Sequence, residues 1–280
     1  MSETLSIPSA LITRLQTARR IAVLTGAGIS AESGVPTFRE AQTGLWARYN
    51  PEELATPEAF RRNPRLVWEW YAWRQQRVRQ AEPNPGHDAL VVMERHCAEF
   101  TLITQNVDGL HRRAGSHEVL ELHGNLFRAK CCDEDRLVEE ELEGAELPPR
   151  CAHCGGLLRP DVVWFGEMLP AGVLRAAQQA AVRAEVFFSI GTSALVYPAA
   201  DLPLLALRAG ATVVEINPQP TPLSAQVTFS LNGAAGVVLP VLIALSGNVC
   251  YLASVIDPEH WIDGVRASVA ALTQQADDAG

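Results

Sequence analysis

The chain has 280 residues, of which 48% are hydrophobic and 20% charged, and its formal net charge is −9. This length and apolar content suit one large domain, or a large and a small one, around a sizeable core. A binder of nucleic acid or of anionic membranes would favour a basic surface, so the acidic balance argues against both. The N-terminus lacks a basic segment followed by an apolar one, and we therefore expect a cytoplasmic protein.

Four short apolar runs predict the strands of a parallel sheet. They lie at residues 21–25, 100–104, 185–190 and 212–216, with helical patterns between them. Near-continuous apolar runs are typical of strands covered by helices on both faces, so we predict an α/β fold with a Rossmann-like sheet. Glycine, asparagine or serine follows each run, which places polar loops at the carboxyl ends of the strands. Open α/β sheets bind their ligands there.

Two segments interrupt this pattern and are predicted to form a smaller module. Residues 40–97 are a helical insertion that contains a tryptophan-rich helix at residues 66–80, preceded by an Asn-Pro start signal. Residues 124–162 are a zinc-ribbon-like insertion with most of the cysteines. The other predicted parts are the Rossmann-like domain at residues 1–39, 98–123 and 163–245, and a C-terminal extension of unknown role at residues 246–280.

An uncharged segment from Leu231 to Ile256 is long enough to span a bilayer. Pro240 and the turn-forming sequence Ser-Gly-Asn at residues 246–248 are expected to divide it into two pieces of core-helix or strand length. No basic cluster flanks either end. We therefore interpret the segment as core elements and expect no membrane association.

A glycine-rich loop follows the first predicted strand and indicates a nucleotide site. Gly26, Ala27 and Gly28 begin a G-x-G-x-x-A pattern, in which missing Cβ atoms let backbone amides approach a pyrophosphate. The acidic ribose ligand expected about twenty residues later, at the end of a second strand, is missing, which disfavours a plain hydride-transfer domain. On this loop alone, a tight turn without a ligand remains an alternative.

The order of several motifs along the chain is specific. The motifs are GAGISAESGVPTFR at 26–39, TQNVDGLH at 104–111, ELHG at 121–124, GTS at 191–193 and IN at 216–217. Together they closely resemble the sirtuins, which are NAD-dependent protein deacylases, over residues 10–245. The segments RPDVVWFGEMLP from Arg159 and NPRLVWEWYAWR from Asn63 resemble the bacterial and mitochondrial-type branch of that family.

The resemblance implies that His123 is the catalytic base. In sirtuins this histidine deprotonates the NAD ribose, so that the 2′-hydroxyl attacks the bound acyl group, and a pKa near neutrality suits that role. A lone histidine is more often structural than catalytic. Four other histidines lack a comparable context and are interpreted as structural or surface residues: His87, His111, His117 and His153.

The other NAD contacts are also implied by the resemblance. Gln105, Asn106 and Asp108 line the nicotinamide and its ribose, although an ordinary turn would use the same residue types. Asn106 and Asp108 are predicted to be catalytic with His123. The further predicted NAD-binding residues are Gly26, Ala27, Gly28, Phe38, Arg39, Gly191, Thr192, Ser193, Asn217 and Ala235.

Two features concern the substrate. Tyr71 and Arg74 share a helix face, and an ordinary packing helix would also account for them. Their Y-x-x-R spacing, with Ala55 supplying room, resembles the desuccinylase and demalonylase branch of sirtuins, in which both side chains bind the acyl carboxylate. The segment VVWFGE resembles the strand on which sirtuins lay the substrate peptide. The predicted peptide contacts are Val162, Val163, Trp164, Phe165 and Gly166.

The cysteines depart from the sirtuin pattern. Six cysteines in this context favour a metal over disulfides, and sirtuins commonly bind a structural zinc through two C-x-x-C pairs. Cys151 and Cys154 supply the second pair, but Glu134 stands three residues after Cys131 where the fourth thiolate is expected. The predicted ligands are Cys131, Cys151 and Cys154, and the candidates for the fourth position are Cys132, Asp133 and Glu134.

The sequence therefore predicts an NAD-consuming protein-lysine deacylase that acts on acyl-lysine proteins or peptides and prefers succinyl and malonyl groups, with weaker deacetylation. Nicotinamide and 2′-O-acyl-ADP-ribose are the expected products. Two alternatives stay open at this point, namely transfer of ADP-ribose onto protein and a non-catalytic nucleotide-binding module. The sequence predicts no oligomeric state.

Overall fold

A computed structural model describes residues 6–35, 54–138 and 146–246. In chain order the strands are β1 (Arg20–Thr25), β2 (Glu99–Thr104), β3 (Val119–Glu121), β4 (Gly124–Cys131), β5 (Leu137–Val138), β6 (Leu158–Val162), β7 (Val186–Ile190), β8 (Thr212–Asn217) and β9 (Phe229–Asn232). A six-stranded parallel sheet, in the order β3-β2-β1-β7-β8-β9, forms the larger part of the fold, and β5, β4 and β6 form a three-stranded antiparallel sheet.

Helices cover both faces of the six-stranded sheet. The α-helices of the described residues are α1 (Ser9–Thr17), α2 (Gly28–Ala31), α3 (Pro57–Arg62), α4 (Pro64–Arg79), α5 (Pro85–His96), α6 (Leu110–Ala114), α7 (Ala171–Arg183), α8 (Leu202–Arg208) and α9 (Ala235–Leu245). One face packs against α1, α5 and α9, and the other against α7 and α8. This confirms the predicted α/β class, because strands buried on both faces are what the near-continuous apolar runs require.

The four strands predicted from apolar runs are β1, β2, β7 and β8. The sheet also has two edge strands, β3 and β9, with three and four residues. Both are only partly buried, so their sequences lack the continuous apolar character that marks the central strands. Neither edge strand is among the four apolar runs from which the sheet was predicted.

The smaller module joins α3 and α4 to the three-stranded sheet. α4 begins as predicted, because the side chain of Asn63 accepts a hydrogen bond from Leu66 N at 3.1 Å. Trp68 Nε1 donates to the carbonyl of Leu158 at 2.8 Å and ties the helix to β6. The two predicted insertions therefore share one core. α5, by contrast, packs in the core of the large sheet. The predicted helical insertion, which ends at residue 97, therefore includes one helix that does not pack in the core of the small module.

The long apolar segment forms β9 and α9 within the described residues. The expectation that Pro240 divides it is wrong, since α9 continues through Pro240 from Ala235 to Leu245. Nine of the eleven residues of α9 are buried, and this packing outweighs the loss of one backbone hydrogen bond. No helix of the described residues is long and apolar enough to cross a bilayer. The predicted extension lies almost entirely outside those residues.

The sheet brings two backbone turns into contact at the carboxyl ends of β1 and β7. Gly28 N donates to the carbonyl of Gly191 at 2.8 Å, and Gly26 N donates to the carbonyl of Ile190 at 2.9 Å. A Cβ at residue 28 would lie 2.7 Å from Gly191 O, and Gly191 itself has φ +59°. Only glycine fits this approach, and the two turns are held at a fixed spacing.

We expect Gly28→Ala to lower the free energy of unfolding by about 1–3 kcal/mol, because the added methyl group must displace backbone atoms. Urea denaturation measures the change. The matched control is Gly172→Ala in α7, where a Cβ would meet nothing within 4 Å. In that helix alanine is expected to be neutral or stabilising by up to about 1 kcal/mol. Equal unfolding midpoints for the two variants would show that the contact is not tight.

Candidate active site

The carboxyl ends of β1, β2, β7 and β8 meet at one edge of the sheet, and polar side chains link them. Gln105, after β2, donates through Nε2 to Thr192 Oγ1 at 2.9 Å. Asn217, at the end of β8, donates through Nδ2 to the carbonyl of Thr192 at 3.0 Å. Together with the contact between Gly28 and Gly191, these bonds bring the predicted NAD-binding loops into a single crevice.

A buried polar cluster lies behind the glycine loop. Asn106 Nδ2 donates to Gly26 O and to Ser30 Oγ, each at 3.1 Å. Ser30 Oγ in turn donates to Asp108 Oδ2 at 2.8 Å, and Leu110 N donates to Asp108 Oδ1 at 2.9 Å. Burial raises the pKa of Asp108, while these two donors oppose the shift. The sequence analysis missed Ser30, whose only signal was a hydroxyl within the glycine motif.

His123 lies at the junction of the two sheets, between β3 and β4. Its Nδ1 is 2.9 Å from the carbonyl of Gln105, which can only accept, so Nδ1 carries the proton and Nε2 carries the lone pair. Burial lowers the pKa of His123, and the bond to Gln105 offsets part of that shift. The side chain is therefore a neutral imidazole at pH 7, with Nε2 available to accept a proton.

The backbone around His123 is tightly fixed. Gly124 has φ +80°, and a Cβ there would lie 2.0 Å from the carbonyl oxygen of Asp161. The carbonyl of His123 accepts a hydrogen bond from Val163 N at 2.9 Å. The chain thus passes from the large sheet into the small one through a glycine that no other residue type can replace without strain. This junction fixes the position of the imidazole.

Tyr71 and Arg74 lie together on α4, as their spacing predicts. Tyr71 is fully buried, and its hydroxyl oxygen accepts a hydrogen bond from Trp164 Nε1 at 2.9 Å. The guanidinium carbon of Arg74 lies 5.5 Å from the centre of the Tyr71 ring and 4.9 Å from that of Trp70. Burial lowers the pKa of Arg74, while Tyr71 and Asp108 oppose the shift. The cation is thus set among aromatic rings and within the field of Asp108.

The predicted peptide segment is a strand only at its start. β6 ends at Val162, and residues 164–167 form a turn in which Glu167 N donates to the carbonyl of Trp164 and Gly166 has φ +86°. The expectation of one strand over VVWFGE is therefore wrong beyond Val162, because the positive φ of Gly166 bends the chain. Phe165 N donates to the carbonyl of Ala55 at 2.9 Å, which joins this turn to the helical insertion.

A partly buried ion pair supports the turn. Arg159 binds Glu167 with both terminal nitrogens, at 2.5 and 2.8 Å, and its guanidinium carbon lies 3.5 Å from the centre of the Trp164 ring. Glu167 also accepts from Trp164 N at 2.8 Å. These contacts lower the pKa of Glu167 against the effect of burial. They fix the indole that donates to Tyr71, a connection that the sequence analysis did not find.

Three cysteines and Glu134 converge in the small module. The Sγ atoms of Cys131, Cys151 and Cys154 and a carboxylate oxygen of Glu134 all lie within 4.8 Å of one another. Ligands at about 2.3 Å from a tetrahedral zinc ion are roughly 3.8 Å apart, so the four side chains fit one zinc ion. Among the described residues that could be the fourth ligand, Cys132 and Asp133 lie outside the cluster and Glu134 lies inside it.

The structure gives no position for two of the predicted NAD contacts. Phe38 and Arg39 lie outside the described residues. Ala235 is buried as the first residue of α9, whose second residue, Gly236, donates its N–H to Glu32 Oε2 at 2.8 Å. Ser193 is exposed, directly after Thr192.

A family model and curated relatives match this chain. The model described as Sir2 family matches residues 26–198, and the chain belongs to the Sir2 family, the sirtuins. A protein from Methylococcus capsulatus is 53% identical over 83% of this chain and 94% of its own length. A protein from Aquifex aeolicus is 56% identical over 73% of this chain and 85% of its own length. One from Mycobacterium tuberculosis is 52% identical over 80% of this chain and 96% of its own length. All three are named NAD-dependent protein deacylase.

Solved structures of Sir2 proteins superpose on the fold. A crystal structure of a Sir2 homologue with NAD has a TM-score of 0.82 and 46% identity, and the match covers 89% of this chain and 97% of that one. A mutant homologue with 2′-O-acetyl-ADP-ribose has a TM-score of 0.80 and 46% identity, and the match covers 88% of this chain and 98% of that one. Sir2 bound to an acetylated peptide has a TM-score of 0.77 and 32% identity, and the match covers 87% of this chain and 100% of that one.

The metal cluster makes a testable prediction. We expect the purified protein to hold one zinc ion, and we expect Glu134→Ala to lose it at a lower chelator concentration, because three ligands remain. Glu134→Cys restores the two-pair pattern and should retain zinc more strongly. Substitution with cobalt reports the donor set, since the thiolate-to-cobalt absorption should rise by about one third when three thiolates become four.

Cys132→Ser is the matched control for this experiment. Its side chain is exposed and lies outside the cluster, so zinc content and the cobalt spectrum should not change. If Cys132→Ser loses the metal while Glu134→Ala keeps it, the assignment of Glu134 is wrong.

Proposed function

We propose that this sirtuin is an NAD-dependent protein-lysine deacylase that prefers acyl groups ending in a carboxylate, such as succinyl and malonyl, and removes acetyl groups more slowly. Its products are nicotinamide, 2′-O-acyl-ADP-ribose and the free lysine. The deacylase activity is supported by relatives of that name at 52–56% identity. The observation that carries the acyl preference is the placement of Arg74 beside Tyr71 on the buried face of α4.

The crevice residues support a reaction in which the chain orients groups and moves one proton. When bound, NAD supplies the ribose carbon that takes up the acyl oxygen as nicotinamide leaves. His123 is suited to accept a proton at Nε2 from a ribose hydroxyl, since its Nδ1–H is held by Gln105 O. Asn106 and Asp108 are positioned by Gly26 and Ser30 before any ligand arrives, which favours preorganised binding over rearrangement.

The acyl preference is supported by the hydrogen bonds of Tyr71. Its oxygen accepts from Trp164 Nε1, so the phenolic O–H can itself donate to a carboxylate. Arg74 supplies a positive charge close by, and a guanidinium binds a carboxylate through two parallel hydrogen bonds. An acetyl group has no terminal carboxylate that could accept a hydrogen bond from Tyr71 or Arg74. Asp108 already contributes to the electrostatic environment of the Arg74 cation, and an acidic acyl group adds a second carboxylate, which a neutral acyl group cannot do.

The acid limb of the pH profile tests His123. Because burial holds its pKa below the usual 6.5, the imidazole stays neutral down to a pH at which an exposed histidine is already protonated. We expect kcat/KM for the acyl peptide to stay constant at neutral pH and to fall as pH decreases through that lowered pKa. His123→Ala should reduce turnover by about 10²–10⁴-fold. A midpoint above 6.5 would contradict the assignment of His123 as the base.

The Arg74→Met variant tests the acyl preference. We expect kcat/KM for a succinyl-lysine peptide to fall by about 10–100-fold, since a charged hydrogen-bond partner is lost. Activity on the same peptide with acetyl-lysine should change less than about threefold, because no charged contact is involved. Release of nicotinamide is measured with matched acetyl, malonyl and succinyl peptides.

Arg77→Met on the same helix is the matched control. Arg77 is exposed, and its guanidinium carbon lies 5.4 Å from the centre of the Trp73 ring. Its loss should therefore not change the ratio of activities on succinyl and acetyl peptides. Equal losses on succinyl and acetyl peptides in Arg74→Met would remove the preference but leave the deacylase proposal. Wild-type protein that releases no nicotinamide with any acyl peptide, or that leaves ADP-ribose attached to the peptide, would contradict the deacylase proposal itself.

A further inference from the structure

β4 has an irregularity next to the active site. Its register with β6 shifts between Gly124 and Ala129, so residues 125–128, the β4 bulge, stand opposite the single residue Asp161. A bulge takes backbone groups out of the ladder, and bulges are frequent beside active sites. The backbone groups of the β4 bulge therefore need partners elsewhere in the fold.

The backbone partners of the bulge belong to two other parts of the site. Leu126 N donates to the carbonyl of Val107 at 2.8 Å. Val107 stands between Asn106 and Asp108, in the loop after β2. The carbonyl of Leu126 accepts a hydrogen bond from Gln75 Nε2, a side chain of α4. One residue of the bulge thus connects the loop after β2 with α4.

Polar and charged side chains hold the bulge between the two sheets. Arg128 donates through Nη1 to Glu121 Oε2 at 2.7 Å and through Nε to Asp161 Oδ2 at 2.9 Å. The other carboxylate oxygen of Glu121, Oε1, accepts from Asn125 Nδ2 at 2.7 Å. Glu121 ends β3 of the large sheet, and Asp161 lies in β6 of the small one. The first and the last residue of the bulge are therefore both bonded to the large sheet through Glu121.

Burial makes Arg128 important for Glu121. The side chain of Glu121 is 7% exposed and that of Arg128 35%. A carboxylate with so little access to water is stabilised by a bonded cation. Burial by itself lowers the pKa of Arg128, but Glu121 and Asp161 favour the cation and the pKa is raised overall. Arg112 lies farther from Glu121, at 3.6 Å, so Arg128 is the nearer counter-charge.

We propose that the ion network of Glu121, Arg128 and Asp161 positions the active site by holding the β4 bulge against the loop after β2. Glu121 lies two residues before His123. Asp161 lies two residues before Val163, whose N–H donates to the carbonyl of His123. The network thus fixes the backbone on both sides of His123 relative to that loop. Its bonds are a property of the unliganded protein, and only their effect on turnover rests on the proposed function.

Amide hydrogen exchange of the unliganded protein, followed by nuclear magnetic resonance, tests the network independently of any reaction. In Arg128→Met the buried carboxylate of Glu121 loses its bonded cation, and the bulge should open locally. We expect the N–H of Leu126 to exchange at least about tenfold faster than in the wild type, while the N–H groups of β1 keep their rates. An unchanged rate at Leu126 would overturn the proposal. Equal acceleration in β1 would also overturn it, because that indicates a general loss of stability.

Turnover tests the consequence for the reaction. In Arg128→Met, kcat for nicotinamide release should fall by about fivefold to twentyfold, with KM for the acyl peptide changed by less than about twofold. Arg128→Lys keeps the counter-charge without the forked geometry and should lose no more than about threefold in kcat. Equal losses in these two variants, or an unchanged kcat in Arg128→Met, would contradict a positioning role of the ion network.

A double-mutant cycle tests whether Glu121 and Arg128 act together. Glu121→Gln turns an amide N–H towards the guanidinium and should lower kcat as Arg128→Met does. With both substitutions neither buried charge is left without its partner, so the double variant should lose no more than Arg128→Met alone. Losses that multiply in the double variant would show two independent effects, and the proposal would be wrong.

Lys130→Met is the matched control, because it removes a cation from the same strand beyond the bulge. Lys130 pairs with the exposed side chain of Asp135 at 2.9 Å. Its loss should leave the exchange of Leu126 N–H unchanged and kcat within about twofold of the wild type. Losses as large as those of Arg128→Met would overturn the proposal. If the wild type shows no deacylase activity while the exchange rates are as expected, the proposed function fails and the placement of the bulge by the network stands.

Discussion

The close approach of two backbone turns at the carboxyl edge of the large sheet is the constraint on which the site depends. Gly28 and Gly191 come within hydrogen-bonding distance without side chains between them, so the loops after β1 and β7 occupy one small volume. Gln105 and Asn217 then reach Thr192 from the two strands on either side. A larger residue at either glycine would separate these loops, and the polar bonds that span them would be lost.

The second structural requirement is that the small module meets the large sheet at His123. The histidine follows β3 and precedes β4, so one residue belongs to both parts of the fold. The helical insertion reaches the same region from the other side, through the bond from Phe165 N to Ala55 O and through the bond between Trp164 and Tyr71. His123 and α4 are therefore placed by two separate sets of hydrogen bonds to the segment that follows β6.

Much of this organisation could be predicted because it depends on strong local signals. The central strands are continuous apolar runs, α4 begins at an Asn-Pro signal, and the family motifs place His123 and Asp108 in loops after strands. The features that were missed depend on tertiary contacts. Ser30 lies in the glycine motif, but its bonds to Asn106 and Asp108 form only when distant segments meet in the core, and its neighbouring sequence does not indicate these partners.

Two corrections have the same physical origin. Pro240 was expected to divide the apolar segment, but α9 is buried along nearly its whole length and continues through Pro240 despite one missing donor. VVWFGE has the composition of a strand, yet the turn at Gly166 and the ion pair between Arg159 and Glu167 end the strand after Val162. Local propensity was overruled in both cases by packing or by buried pairing that one segment cannot reveal.

Burial also determines the electrostatic character of the site. It lowers the pKa of His87, His111 and His123, so these rings are neutral at pH 7, and it raises the pKa of Asp108 against the two donors that bind its carboxylate oxygens. The histidine, amide and hydroxyl groups of the crevice thus act through oriented hydrogen bonds, and such fixed dipoles act strongly where water is excluded. Arg74, by contrast, remains cationic although burial opposes this. The acyl preference proposed above depends on that positive charge, because an acidic acyl group gains from it and a neutral one does not.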